Sequence, residues 1–159
     1  MNMPHTFEGQ LTPPPGRFAI CVSRFNSFIT EQLFTGAVDV LHRHGVGDGN
    51  IDIYRCPGSL ELAQVVRRVA QSDKYVGIVA LSCVIRGATP HAQYVSAAIH
   101  QGIGQIALSA NCAITQGILT ADTLEQAVDR AGIKAGNKGA DAALACIELV
   151  NLYVTMETK

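Results

Sequence analysis

Tyr75-Val76-Gly77-Ile78-Val79-Ala80-Leu81-Ser82-Cys83-Val84-Ile85-Arg86-Gly87-Ala88-Thr89-Pro90-His91 reads as a buried strand that runs straight into a helix. An apolar run without alternation, softened only by Ser82 and Cys83, suits a parallel strand covered on both faces. Thr89 is a good N-cap, and Pro90 then falls at the first helical position, where its missing N–H costs nothing. The loop Gly87-Ala88-Thr89 therefore aims free backbone N–H groups, at the positive end of a helix, into the crevice at a strand's carboxyl end. Open α/β sheets bind ligands there, and anions such as phosphate suit it. His91 adds an imidazole, which exchanges a proton near neutral pH.

Outward from this corner, strand and helix alternate along the whole chain. Phe18 to Val22 is a continuous apolar strand. Ile29, Leu33, Ala37 and Leu41 recur every four residues, which predicts a helix that stops near Gly45. Asn50 to Cys56 alternates as a second strand, and Pro57-Gly58 turns into a helix marked by Leu62, Val65, Val66 and Val69. The helix opened at Thr89-Pro90-His91 is expected to stop around Gly102-Ile103-Gly104. Gln105–Leu108 and Ala113–Leu119 then form one broken strand. Asp122-Thr123-Leu124-Glu125 reads as a capping box with Asp as the cap. The helix it opens breaks at Gly132 and in the turn 136–139, before a last helix through Val154. The expected fold is a three-layer α-β-α sandwich around a four-stranded, mostly parallel, flavodoxin-like sheet. Residues 1–16 form a polar arm that Pro13-Pro14-Pro15 holds extended. That arm is either a floppy terminus or a strand lent to a neighbour's sheet, and residues 17–159 form a single domain.

Composition narrows the class of protein. A chain of 159 residues buries a proper core as one domain. With a net charge of -1, nothing in the composition points to nucleic acid or an anionic membrane as a partner. Cys21, Cys56, Cys83, Cys112 and Cys146 are scattered without a C-x-x-C pair, so buried reduced thiols in a cytoplasmic protein are expected. Neither a leader nor an apolar run of membrane-spanning length is read from the sequence. Charged residues make up only 16% of the chain, against the roughly 25% usual for globular proteins. Such a surface is expected to hide some apolar area against copies of itself.

Several superficial motifs fail on context. Gly45-Val46-Gly47-Asp48-Gly49-Asn50 follows a helix and precedes a strand, the reverse of a dinucleotide fingerprint, and residues 132–138 lack P-loop spacing. His42 and His44 face different ways on one helix, and no cluster has metal-ligand spacing. Ser23-Arg24-Phe25-Asn26 is more informative, because it ends the first strand and points Phe25 and Asn26 toward the crevice of His91. An aromatic face beside an amide suits a flat heterocycle, although Phe25 is equally compatible with core packing. Pro57-Gly58-Ser59-Leu60-Glu61 ends the second strand in the same way. Arg130 and Lys138, taken individually, read as solvated surface cations near turns.

Together these segments resemble the lumazine synthase family of riboflavin biosynthesis. The likeness is carried by Ser23 through Ile29, Gly36-Ala37-Val38-Asp39, Arg43 through Val46, Pro57 through Glu61 and Val84 through His91. Gly117 through Thr120, Glu125-Gln126-Ala127, Arg130-Ala131-Gly132 and Gly136-Asn137-Lys138-Gly139 extend it, so that it runs from about Arg17 to Leu152. The resemblance implies a transferase that condenses 5-amino-6-(D-ribitylamino)uracil with 3,4-dihydroxy-2-butanone 4-phosphate, without a cofactor or metal. The products are 6,7-dimethyl-8-ribityllumazine, phosphate and water. It further implies a homo-oligomer, either a pentamer or a shell of sixty subunits, with each site shared between neighbours and riboflavin synthase among the candidate partners. By matching position, His91 is the proton-transfer histidine and Lys138 a site lysine from the neighbour. Gly87, Ala88, Thr89 and Arg130 hold the phosphate. Phe25, Asn26, Ser59, Leu60, Glu61, Val84, Ile85 and Gln116 hold the pyrimidine and its ribityl chain.

The chain also departs from the family. Ala92 and Gln93 stand where Phe-Asp usually follows the histidine, and Gln116 replaces a phenylalanine that packs on the heterocycle from the neighbouring subunit. Leu60 stands where an aromatic residue is common. Base–aromatic stacking is worth roughly 1–3 kcal/mol in nucleic-acid systems, so weaker pyrimidine binding is the expected consequence. The rivals to an active enzyme are a non-catalytic flavin or lumazine binder with an altered aromatic pocket, and a mainly structural shell.

Overall fold

In the computed structural model, which describes residues 2–87, 90–132 and 136–158, four parallel strands lie between two helical layers. β1 (Phe18–Ser23), β2 (Ile51–Cys56), β3 (Gly77–Ile85) and β4 (Ala113–Ala121) stand in the order β2-β1-β3-β4. The register sets Phe18 against both Ile51 and Gly77, and Gly77 in turn against Ala113. β1 is buried throughout and β3 up to its last residue. Both faces of these central strands are covered, so their sequences are apolar without alternation. β2 lies at an edge with mixed exposure, and its Ile53 is exposed although the alternation of the sequence would bury it.

Helices α1 (Ser27–Arg43), α4 (Leu124–Arg130) and α5 (Lys138–Glu157) cover one face of the sheet. Helices α2 (Ser59–Gln71) and α3 (His91–Ser109) cover the other. Alternate residues of β1 feed the two cores. Phe18, Ile20 and Val22 meet Leu33 and Ala37 of α1 and Ile147 of α5. Ala19 and Cys21 meet Leu62 and Val66 of α2 and Ile99 and Ile103 of α3. The four-residue repeat Ile29, Leu33, Ala37, Leu41 is buried as its spacing requires, and α1 ends before Gly45 at φ +89°. Among the described residues, α5 alone is long and apolar enough by composition to cross a membrane. Its buried residues, among them Ala143, Cys146 and Ile147, belong to the protein core.

Three local expectations are corrected. Gln105–Leu108 is no strand: α3 runs unbroken from His91 to Ser109 through both glycines. Gly102 lies so close to α2 that a Cβ there would sit 3.2 Å from the Ala63 Cβ. Burial of Ile99 and Ile103 outweighs the roughly 1 kcal/mol that each glycine costs a helix interior. The cap of α4 is Thr123 rather than Asp122: its hydroxyl accepts from Gln126 N at 3.2 Å, while Gln126 Oε1 accepts from Asp122 N at 2.9 Å. Pro90 precedes α3 instead of forming its first position, with His91 the first helical residue. The expected cap Thr89, with Ala88, lies outside the described residues.

Residues 2–16 form no helix or strand. They are fastened to α5 of the same chain, where Asn151 Nδ2 donates to the carbonyls of Gln10 (2.6 Å) and Thr12 (2.8 Å). Elsewhere the layer of α1 and α5 depends on a close approach at its start. A Cβ on Gly139 would lie 2.0 Å from the Leu33 carbonyl oxygen. Asn137 locks the same junction by capping Ala140 N (3.0 Å) and donating to the carbonyls of Gln32 (3.0 Å) and Ala131 (3.1 Å). Gly139→Ala is therefore expected to force α5 away from α1 and to lower stability by about 1–3 kcal/mol. Urea unfolding checks this, and an unchanged midpoint would show that the junction is loose.

Candidate active site

The strand order creates the site. From β1 the chain moves outward to β2, then returns across β1 to β3 and β4. The helices that follow β1 and β3 consequently leave on opposite faces, α1 on one and α3 on the other. Their divergence opens a crevice at the carboxyl ends of the two central strands, where open α/β sheets bind ligands. A cavity of about 430 Å³ fills that crevice, within the range of small-molecule pockets.

One wall of the cavity is the exit loop of β1. Arg24 N donates to Cys56 O (2.8 Å) and Phe25 N to Pro57 O (3.1 Å), which zips the loop to the end of β2. Asn26 faces the other way: its Nδ2 donates to Cys83 O on β3 at 2.9 Å. This side chain spans the crevice between the exit loop of β1 and β3. Asn26 reaches it from a left-handed backbone (φ 61°, ψ 42°), a region that asparagine tolerates better than most residues. Its carbonyl then accepts from Ile29 N and Thr30 N and starts α1.

The opposite wall is the first turn of α2. Gly58 caps the helix in an extended conformation, followed by Ser59, Leu60 and Glu61. A carboxylate in a first helical turn is favourable beside the helix's positive end. β3 supplies Cys83, Val84 and Ile85 as the floor, and Gly87, His91, Ala92 and Val95 complete the lining. Burial pushes the Cys83 thiol up to about 11 and raises that of Cys56 as well. Both stay protonated at neutral pH, so neither is a competent nucleophile. His91 is exposed and stands at the first position of α3, with its imidazole part of the cavity wall.

The structure thus brings Phe25, Asn26, Ser59, Leu60, Glu61, Val84, Ile85, Gly87 and His91 around one cavity. Three other expected residues do not line it within this chain. Lys138 opens α5 in the opposite helical layer and is exposed. Arg130 ends α4, where its Nη1 donates to Thr120 O of β4 at 3.4 Å. Gln116 sits mid-strand in β4 and its Oε1 pairs with His100 Nδ1 of α3 at 3.0 Å. Sequence reading did not single out Val95, although its one-turn spacing from His91 on a helix announces a shared face.

Two outcomes follow. Asn26→Ala loses the bond to Cys83 and places a Cβ residue without amide compensation at positive φ, for a combined cost of about 2 kcal/mol. Asn26→Gly loses the bond alone, and denaturant unfolding should find it the more stable variant; the reverse order would dismiss backbone strain at this position. All five cysteines are free and buried. A thiol reagent at neutral pH should therefore modify the native chain far more slowly than the denatured one, and rapid stoichiometric labelling would contradict that burial.

Comparison with known proteins shows the family. Residues 15–154 match the family model for 6,7-dimethyl-8-ribityllumazine synthase. A 6,7-dimethyl-8-ribityllumazine synthase of Myxococcus xanthus (strain DK1622) is 59% identical over 159 residues, covering 97% of this chain and 95% of the relative. Relatives of the same name from Anaeromyxobacter sp. (strain K) and Anaeromyxobacter sp. (strain Fw109-5) are 53% and 54% identical, each covering 93% of this chain and 91% of the relative. With the switch-point cavity and near-complete coverage in agreement, the chain belongs to the 6,7-dimethyl-8-ribityllumazine synthase family.

Proposed function

We propose that the chain condenses 5-amino-6-(D-ribitylamino)uracil with 3,4-dihydroxy-2-butanone 4-phosphate to give 6,7-dimethyl-8-ribityllumazine, phosphate and water, a transferase step of riboflavin biosynthesis. The observation that carries this reading is the cavity itself. One enclosure gathers an aromatic face and an amide (Phe25, Asn26), a carboxylate (Glu61), and an imidazole at a helix start (His91). A flat polar heterocycle fits between Phe25 and the turn 57–61. Its ribityl hydroxyls meet Asn26, Ser59 and Glu61, and Val84 and Ile85 form the apolar floor.

The reaction needs protons moved and a leaving anion held. The 5-amino group adds to the ketone and one water leaves as the C=N bond forms. Phosphate departs by elimination, the resulting enol tautomerises to a ketone, and the ribitylamino nitrogen attacks that carbonyl and closes the ring with loss of a second water. His91 is the group assigned to the proton transfers, as a general acid and base beside the reacting atoms. In this reading Gly87, Ala88 and Thr89 take the phosphate, and Arg130, beyond the adjacent β4, supplies a cation.

A second copy of the chain completes the site in this reading, with Lys138 and Gln116 delivered from a neighbour in a pentamer or a sixty-subunit shell. Their position away from the cavity of their own chain supports that assignment. So does the apolar rim, where Phe25 is 69% and Leu60 56% exposed, with Phe28 and Tyr94 as open nearby in the chain. The substrates are small molecules, no cofactor takes part, and the cytoplasm is the expected compartment.

His91→Ala should lower kcat by roughly ten- to a thousandfold, as expected for loss of a general acid–base group. Residual turnover should survive, because the cavity still positions both substrates. A steady-state assay following lumazine formation checks this. Unchanged turnover would remove His91 from the chemistry, and a wild-type rate no faster than the uncatalysed one would overturn the proposed function.

A further inference from the structure

Beneath the cavity lies a row of three serine hydroxyls. Ser23 ends β1, Ser82 lies on β3 and Ser59 opens α2. Ser82 Oγ is within 2.8 Å of Ser23 Oγ and also hydrogen-bonds Ser59 Oγ. Ser23 and Ser82 are wholly buried, and Ser59 alone of the three reaches the cavity wall. None of these hydroxyls has another partner among the described residues.

Counting protons decides the direction of the row. Each hydroxyl carries a single proton to donate, so three protons serve two links and one is left over. If Ser59 donated to Ser82, the spare proton would fall on Ser82 or on Ser23. Either site is fully buried without a further acceptor, which is costly. Only one arrangement avoids this: Ser23 donates to Ser82, Ser82 donates to Ser59, and the Ser59 proton remains for the cavity.

From this we propose that Ser82, backed by Ser23, is a positioning residue that fixes the Ser59 hydroxyl as a hydrogen-bond donor to an acceptor oxygen of the pyrimidine substrate. The proposal rests on the lumazine synthase reading of the cavity and deepens it, by stating which polarity of ligand atom this wall recognises. The α2 N-terminus points the same way, because its positive end also prefers an acceptor. Ser82 touches no substrate; it acts through Ser59.

The test compares wild type with Ser82→Ala and with the double variant Ser23→Ala/Ser82→Ala, measuring KM for 5-amino-6-(D-ribitylamino)uracil, kcat and Tm. Ser82→Ala unlocks Ser59 and also strands the buried Ser23 hydroxyl, so KM should rise about fivefold, kcat should hold, and Tm should fall. The double variant removes the stranded group. Its Tm should recover toward wild type while the raised KM persists. A KM that stays at the wild-type value in Ser82→Ala, or that recovers together with Tm in the double variant, would overturn the proposal and leave the assignment of the reaction standing. An inactive wild-type protein would overturn both.

Discussion

The bond from Asn26 Nδ2 to Cys83 O ties the exit loop of β1 to β3 just beyond their last ladder pair, Val22–Leu81, where the following helices depart on opposite faces. The reversal of strand order at β1 makes such a gap unavoidable, since α1 and α3 cannot occupy the same side. An open gap at the carboxyl ends of two buried strands exposes main-chain groups and apolar floor together. Asn26 bridges it without filling it, and its left-handed backbone lets the same residue start α1. Phe25 is thereby held against the turn at Pro57, and the wall facing Ser59, Leu60 and Glu61 is fixed.

The central sheet was legible because its physics is local. Phe18–Val22 and the run ending at Ile85 are apolar without alternation, and that pattern has few readings other than a doubly covered parallel strand. The misplaced helix stop has its cause in tertiary contact. Gly102 and Gly104 look like a helix stop, yet one of them exists to admit Ala63 of the neighbouring helix, which no window of sequence around residue 102 can reveal. The shift of the α4 cap from Asp122 to Thr123 is a single-residue matter, settled by the Thr123 hydroxyl rather than the Asp122 carboxylate accepting from Gln126 N.

The site divided along the same line. Residues that end one strand and begin the next helix, such as Phe25, Asn26, Ser59 and His91, could be placed in one crevice from the alternation of elements alone. The hydroxyl row could not, since Ser23, Ser59 and Ser82 are far apart in sequence and unremarkable individually. Gln116 and Lys138 entered through family likeness rather than local pattern. Within the single chain they lie on β4 and at the head of α5, away from the cavity. Gln116 also has its own local explanation, the pairing of its amide with His100 across the face of α3. A polar pair thus stands where the family likeness implies an aromatic residue.

A structure determined with 6,7-dimethyl-8-ribityllumazine bound tests the account most directly. The account places the heterocycle in the β1–β3 crevice, beside Phe25 and the turn 57–61, with His91 at its edge. The chain offers a larger competing groove of about 730 Å³ between α2 and α3, lined by residues such as Arg67, Asp73 and Asn111. Ligand seated in that groove, with the crevice left empty, would contradict the assignment of the active site.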